Sequence, residues 1–203
     1  MTTTPVNAAK GSRKNTRDRI LDAAMDLFAE DGFSGTTISE VERRVGLAAG
    51  TGSLYRHFPS KEELLRAAVG REVTRIRAEI KKRADAAENS ADPADPAERR
   101  LRGYRQRLHD MRLCDRLFRL MLNEGDRVPD LREAMWAALR EPVEDSAATA
   151  DVTMAAAEAA IGGYHLFSLM QGRPYNGVAE EQFLRELVAM TMGCRELGPL
   201  LRR

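Results

Sequence analysis

Residues 37–65 read TISEVERRVGLAAGTGSLYRHFPSKEELL, and this stretch decides the fold. Thr37-Ile38-Ser39-Glu40 is a capping box, in which the Thr37 hydroxyl accepts from the Glu40 amide and the Glu40 carboxylate reaches back. The helix it opens carries Ile38, Val41 and Val45 at spacings of three and four, and it stops at Gly46. A glycine-bearing segment, Leu47 to Gly52, comes next. A short helix over roughly 50–57 is predicted after it, broken by Pro59. Ser60-Lys61-Glu62-Glu63 is a second capping box, and it opens a long helix from Lys61 to about Ala87. Two short helices joined by a tight glycine turn make a helix-turn-helix, whose second helix enters the major groove while the first crosses the backbone. A small three-helix bundle that binds nothing carries the same pattern, so pattern alone leaves both readings open.

Upstream, Ile20, Leu21, Ala24, Leu27 and Phe28 share one face of a helix from Arg17 to Glu30, which Asp31-Gly32 stops. Downstream, residues 88–97 (ENSADPADPA) hold two prolines and read as a linker. Further helices are expected over about 98–123, 130–140, 147–171 and 179–196, with the role of Pro142 left open. The expected fold is all-α, with about nine helices. A basic flexible arm (1–14) leads into a three-helix helix-turn-helix domain (15–60). The long helix then joins this to a larger helical bundle (61–203).

A chain of 203 residues can bury a core without disulfide or metal staples. With 43% hydrophobic residues and a net charge of +1, disorder along the whole chain is excluded. The longest run without Asp, Glu, Lys or Arg, Ala159 to Gly172, has 14 residues, where a spanning helix needs about 20. No membrane span is therefore expected. The N-terminal MTTTPVNAAKGSRKNTR has no apolar run and does not read as a signal peptide. Cys114 and Cys194 lie 80 positions apart without a CxxC pair, so no zinc site, disulfide framework or cofactor is expected, and the cytoplasm is the default location. Residues 10–19 hold Lys10, Arg13, Lys14, Arg17 and Arg19 against Asp18 alone, a net of +4. Such a run is either a solvated tail or a nucleic-acid-seeking arm.

The residues themselves say more. Ile20-Leu21-x-Ala23-Ala24-x-x-Leu27-Phe28-Ala29-Glu30-x-Gly32-Phe33-x-x-Thr36-Thr37-Ile38 resembles the N-terminal domain of the TetR family of bacterial transcriptional regulators. So does Gly46-Leu47 followed by Gly52-Ser53-Leu54-Tyr55-Arg56-His57-Phe58-Pro59-Ser60-Lys61-Glu62-Glu63-Leu64-Leu65. The resemblance covers about residues 15–68. It implies that Tyr55, His57 and Lys61 contact phosphates, that Phe58 is a buried anchor, and that Thr37 caps the second helix beside the DNA backbone. Elementary physics points the same way. Helix N-termini, here marked by Thr37 and Ser60, attract anions. Tyr and Lys are ordinary phosphate donors that position a protein without specifying sequence.

Base reading would fall to Ala49–Ser53, where Thr51 and Ser53 are the polar candidates, with Arg43 and Arg44 on the preceding helix adding contacts. Gly46 to Tyr55 spans nine positions, two more than most similar sequences, with Ala48 where a polar cap is expected. A branch of the family with Gly-x-Gly before Leu-Tyr looks similar. Which of Ala49–Ser53 faces bases stays open.

In the second half, Val152, Ala156, Ala160, Phe183, Leu184, Leu187 and Thr191 lie on wide apolar and small-residue faces of the last two helices. They pack either internally or, as the resemblance implies, against the same helices of a second copy. A two-fold dimer would read two half-sites where one short helix makes few contacts. Tyr104, Leu108, Met111, Cys114, Phe118, Met121, Trp136, Tyr164 and Phe167 either pack as plain core or line an apolar pocket for a small effector. Arg105, Arg112 and Arg116 either bind an anion or are solvated.

The function expected is a homodimeric repressor, bound to a pseudo-palindromic duplex operator and released by a small hydrophobic effector. A helical interaction module and a ligand-independent repressor are the alternatives. GxxxxGK[ST], HExxH and GxSxG are absent, and His57, His109 and His165 lack metal-ligand spacing, so no enzyme is expected.

Overall fold

The computed structural model describes residues 15–48, 54–88, 93–124 and 152–197. Among them lie seven α-helices and two 3₁₀ turns. They are α1 (Thr16–Gly35), α2 (Ile38–Arg44), α3 (Lys61–Glu88), α4 (Pro96–Leu113), α5 (Asp115–Glu124), α6 (Val152–Gln171) and α7 (Glu180–Leu197), with 3₁₀ turns at Leu54–Arg56 and Tyr175–Gly177. The all-α class expected from sequence is what forms, but with seven helices here rather than about nine. The expected helix at 130–140, Pro142 and the arm at 1–14 fall outside the described residues. Among the described residues no helix is long and apolar enough to cross a membrane.

The packing divides the chain into two compact units between Arg71 and Glu72, inside α3. In the first unit, Asn15 caps α1 by accepting from the Arg17 amide at 3.0 Å. The apolar stripe of α1 is buried as its spacing demands, with Ile20, Ala24 and Phe28 fully enclosed. The two large ones, Ile20 and Phe28, each contribute about 1.5–3 kcal/mol. Gly32, at φ 75°, breaks the helical path within α1. The Thr36 hydroxyl then donates to the Gly32 carbonyl at 2.8 Å. Val41, Leu54, Phe58, Leu64 and Leu65 complete the core. Arg71 ties the first turns of α3 to α1, donating to the Asp18 carbonyl (2.7 Å) and the Asp22 carboxylate (2.6 Å).

In the second unit, Asp95 caps α4 by accepting from the Ala97 amide at 3.1 Å, and Pro96 occupies the first helical turn, where its missing N–H costs nothing. Leu101, Tyr104 and Leu108 of α4, Ala157, Ile161 and Tyr164 of α6, and Leu184, Leu187 and Val188 of α7 form one core. Ion pairs Arg105–Glu181 and Arg112–Glu180 link α4 to α7. Glu72, nearly fully buried on α3, pairs with Arg75 at 2.7 Å and with Arg116 of α5 at 3.5 Å.

One helix was expected over 98–123; two form. Cys114 leaves the helical path at φ −91°, ψ 2°, its N–H donating to the Met111 carbonyl at 2.9 Å. The break lets Asp115 meet His165 of α6, with Nε2 to Oδ1 at 2.8 Å. Apolar spacing runs through 98–123 without a fault, so a one-residue change of axis leaves no trace in it.

Candidate nucleic-acid interface

The first unit builds its surface turn from both ends. At the start of α2, the Thr37 hydroxyl accepts from the Glu40 amide at 3.2 Å. This is the expected cap, a feature that stabilises a helix by about 1 kcal/mol. The Glu40 carboxylate itself meets Arg43 at 3.2 Å. At the other end, Gly46 adopts φ 74°. Its N–H donates to the Arg43 carbonyl (3.2 Å) and the Leu47 N–H to the Glu42 carbonyl (2.9 Å). That pair of bonds is a Schellman motif, and its left-handed residue favours glycine.

The recognition helix expected over roughly 50–57 is, among the described residues, a single 3₁₀ turn at Leu54–Arg56. Thr51 and Ser53, the proposed base readers, lie outside the described residues. The Leu54 carbonyl accepts from the amides of His57 (2.8 Å) and Phe58 (3.0 Å). Leu54 and Phe58 point inward and are buried, while Tyr55, Arg56 and His57 between them are exposed, Tyr55 by 52%. Phe58 is the buried anchor expected, with the Arg17 guanidinium 5.0 Å over its ring. Ser60 accepts from the Glu63 amide at 3.1 Å and caps α3. Lys61 stands half-buried in the first turn of α3, its Nζ 4.4 Å over the Phe33 ring.

Of the positions singled out from sequence, Thr37, Arg43, Tyr55 and His57 present exposed polar groups, and Lys61 is half-buried. Arg44 is exposed as well and pairs at 2.9 Å with Glu30 of α1. Sequence reasoning passed over Glu42. It is 1% exposed, and its Oε1 accepts from the Leu54 amide at 3.2 Å. The signal was legible: Ile38, Val41, Glu42 and Val45 lie at i, i+3, i+4 and i+7, which puts a carboxylate on the buried stripe of α2.

The second unit sorts its expected residues differently. Leu184, Leu187 and Thr191, grouped with an intermolecular face, belong to the protomer's own core. The Thr191 hydroxyl accepts from Tyr104 Oη at 3.0 Å. The apolar side of α7 packs on α4 because Tyr104 and Leu108 face it there. Val152 (80% exposed) and Ala156 lie on the surface, and Ala160 and Phe183 are half-buried.

Of the pocket set, Leu108 and Cys114 are fully enclosed, and Tyr164 stacks on Phe183 at 4.3 Å while donating to the Val178 carbonyl at 2.8 Å. Met111 packs against Gly162, Phe118 stands edge-on to His165, Met121 is half-buried, and Phe167 stacks on Tyr175. Trp136 lies outside the described residues. Among the described residues, Tyr164 and Phe167 line one pocket with Tyr175 and Phe183. A cleft of about 570 Å³ opens beside Tyr104 and Ile161, lined also by Arg99, Arg100, Arg107, Asp110, Met154 and Glu158. Arg105, Arg112 and Arg116, read as anion-binding or solvated, are all ion-paired, with Glu181, Glu180 and Glu72. Burial pushes the Cys114 thiol up to about 11, so it is protonated and inert at neutral pH.

Comparison with known proteins bears on both units. Residues 20–68 match the family described as bacterial regulatory proteins, tetR family. The HTH-type transcriptional repressor KstR of Mycobacterium tuberculosis is 43% identical over 65 residues, which are 32% of this chain and 29% of that protein. The alignment thus spans under a third of this curated relative's length. A TetR-family member from Streptomyces coelicolor A3 has the same fold, with a TM-score of 0.61 at 23% identity over 87% of this chain and 98% of that one. So does EbrR, a multidrug binding protein solved in complex with imidazole, with a TM-score of 0.58 at 23% identity over 88% of this chain and 96% of that one. The capped α2, the glycine turn and the Tyr55–Phe58 run fall inside the matched segment, so residues 20–68 form a domain similar to that of the tetR family of bacterial regulatory proteins.

Proposed function

We propose that the protein is a DNA-binding transcriptional repressor, acting as a homodimer on a pseudo-palindromic operator in the cytoplasm. The observation that carries this reading is the turn at 54–58. Leu54 and Phe58 are sunk in the core, so Tyr55 and His57 are held outward beside the capped start of α3. Tyr55, His57 and Lys61 then contact phosphates, and Thr37 brings the N-terminus of α2 to the backbone. Base reading falls to Arg43 on the same surface and, outside the described residues, to Thr51 and Ser53. Arg44 helps only if its pair with Glu30 opens.

A second copy docks on the exposed face of α6 and α7. Val152, Met170 and Met190 are each at least 60% exposed there, and Val152, Ala156, Ala160 and Phe183 remain the interface residues of choice. An effector enters the second unit. The cleft beside Tyr104 lies within the volume range of small-molecule sites, and its lining of Arg99, Arg100 and Arg107 together with Asp110 and Glu158 suits an apolar body bearing polar groups. Binding there shifts the dimer toward a state with lower operator affinity, and by linkage the operator weakens effector binding by the same factor.

The test is selection of sheared genomic duplex by the purified protein, followed by sequencing. A pseudo-palindromic consensus is expected, and recovery without sequence preference overturns the reading.

A further inference from the structure

Glu42 holds the helix-turn-helix at two points at once. Its main-chain carbonyl accepts the Leu47 N–H at 2.9 Å and so closes α2. Its side-chain Oε1 accepts the Leu54 N–H at 3.2 Å and so opens the 3₁₀ turn. The residue is 1% exposed and Leu54 is fully buried. A buried carboxylate is costly unless it is hydrogen-bonded, so its place on the apolar stripe of α2 needs a reason. The reason lies in the spacing of the turn. Gly46 and Tyr55 are nine positions apart, and Ala48, where a polar cap is expected, has no side-chain acceptor. Among the described residues, Glu42 is the acceptor that the first N–H of the turn at 54–56 meets.

We propose that Glu42 is the positioning residue of the nucleic-acid interface: across the longer turn it supplies the cap that Ala48 cannot, and it thereby fixes where Tyr55 and His57 stand. The inference rests on the DNA-binding reading above. The path is short. Glu42 fixes the Leu54 amide, and the Leu54 carbonyl in turn takes the amides of His57 and Phe58 at 2.8 and 3.0 Å. Glu42 itself touches no DNA in this account.

The test compares full-length wild type with Glu42→Ala, Glu42→Gln and Glu42→Met, using a duplex fragment enriched by the wild-type protein. Gln keeps an oxygen acceptor of the same reach. Met fills the same buried volume without one, so it carries the comparison if the alanine variant does not fold. Removing an acceptor from a buried donor costs enough to weaken binding about tenfold or more. The Ala and Met variants are expected to lose that affinity and to exchange the Leu54 amide proton faster. Gln is expected to restore both to within about threefold of wild type. A Met variant with wild-type affinity or wild-type Leu54 protection overturns the proposal, as does a Gln variant no better than Met. If the wild type itself enriches no duplex, the DNA-binding reading fails, and the Leu54 exchange rates still decide whether Glu42 sets the turn.

Discussion

Lys61 separates a binding role from a structural one. It stands in the first turn of α3, where the helix dipole disfavours a cation by about 0.3–1 kcal/mol. Its Nζ lies 4.4 Å over the Phe33 ring, a contact that returns about 0.5–1 kcal/mol at an exposed site. The two terms have opposite sign and similar size. Replacing Lys61 by Gln should therefore move the unfolding free energy by less than about 0.5 kcal/mol. Loss of one phosphate contact, by contrast, lowers the slope of log affinity against log salt by about 0.9. Between about 50 and 200 mM salt the wild type should then lose roughly 3.5-fold more affinity than the variant. The assay is fluorescence anisotropy on one enriched duplex across that salt range, with urea melts of both proteins alongside. An unchanged slope would refute the assignment of Lys61 to phosphate. A large loss of stability would show that the Phe33 contact, not DNA, is what keeps the residue there.

Other outcomes follow from the same geometry. Tyr55→Phe combined with His57→Ala should weaken binding about equally on operator and random duplex, with a shallower salt slope and an unchanged melting temperature, because both side chains are exposed; gel retardation and calorimetry read the two arms. Gly46→Ala should cost about 1 kcal/mol in urea melts, since its φ of 74° is strained for any side chain even though the space around it is open. Val152→Asp should shift the sedimentation profile from dimer to monomer with helix content intact, whereas Leu184→Ala should cost about 2–5 kcal/mol of stability by leaving a cavity in the core. The Cys114 thiol is raised from 9.0 to about 11 by burial, so the folded state binds its proton more tightly than the unfolded chain does. Its contribution is therefore complete below about pH 9 and is lost as pH climbs through about 11; alkaline melts of a Cys194→Ser protein should show this fall, and adding Cys114→Ala should remove it.

The elements legible from sequence were those fixed by local chemistry. Thr37 and Ser60 announced the starts of α2 and α3 because a hydroxyl three residues before Glu satisfies a helix donor wherever it occurs. Gly46 announced the end of α2 because its positive φ has few alternatives. What tertiary packing decides was harder to read. The apolar stripe of α7 bearing Leu184, Leu187 and Thr191 fits a neighbouring helix of its own chain as well as one from a second copy, and periodicity does not name the partner. The break at Cys114 goes with a pairing between Asp115 and His165, 50 residues apart in sequence, which local spacing does not announce. Glu42 was hidden for a third reason. An acid among the charged residues of a short helix reads as a solvated face until the apolar stripe is counted and found to include it.

The proposed function depends most on two copies of this chain placing their 54–58 turns on one duplex. Hydroxyl-radical footprinting of an enriched fragment, with the stoichiometry of the same complex measured by analytical ultracentrifugation, tests it most directly. Two protected half-sites about one helical turn apart, related by a dyad and covered by a dimer, are predicted. A single protected patch under one chain, or uniform protection with no boundary, would contradict it.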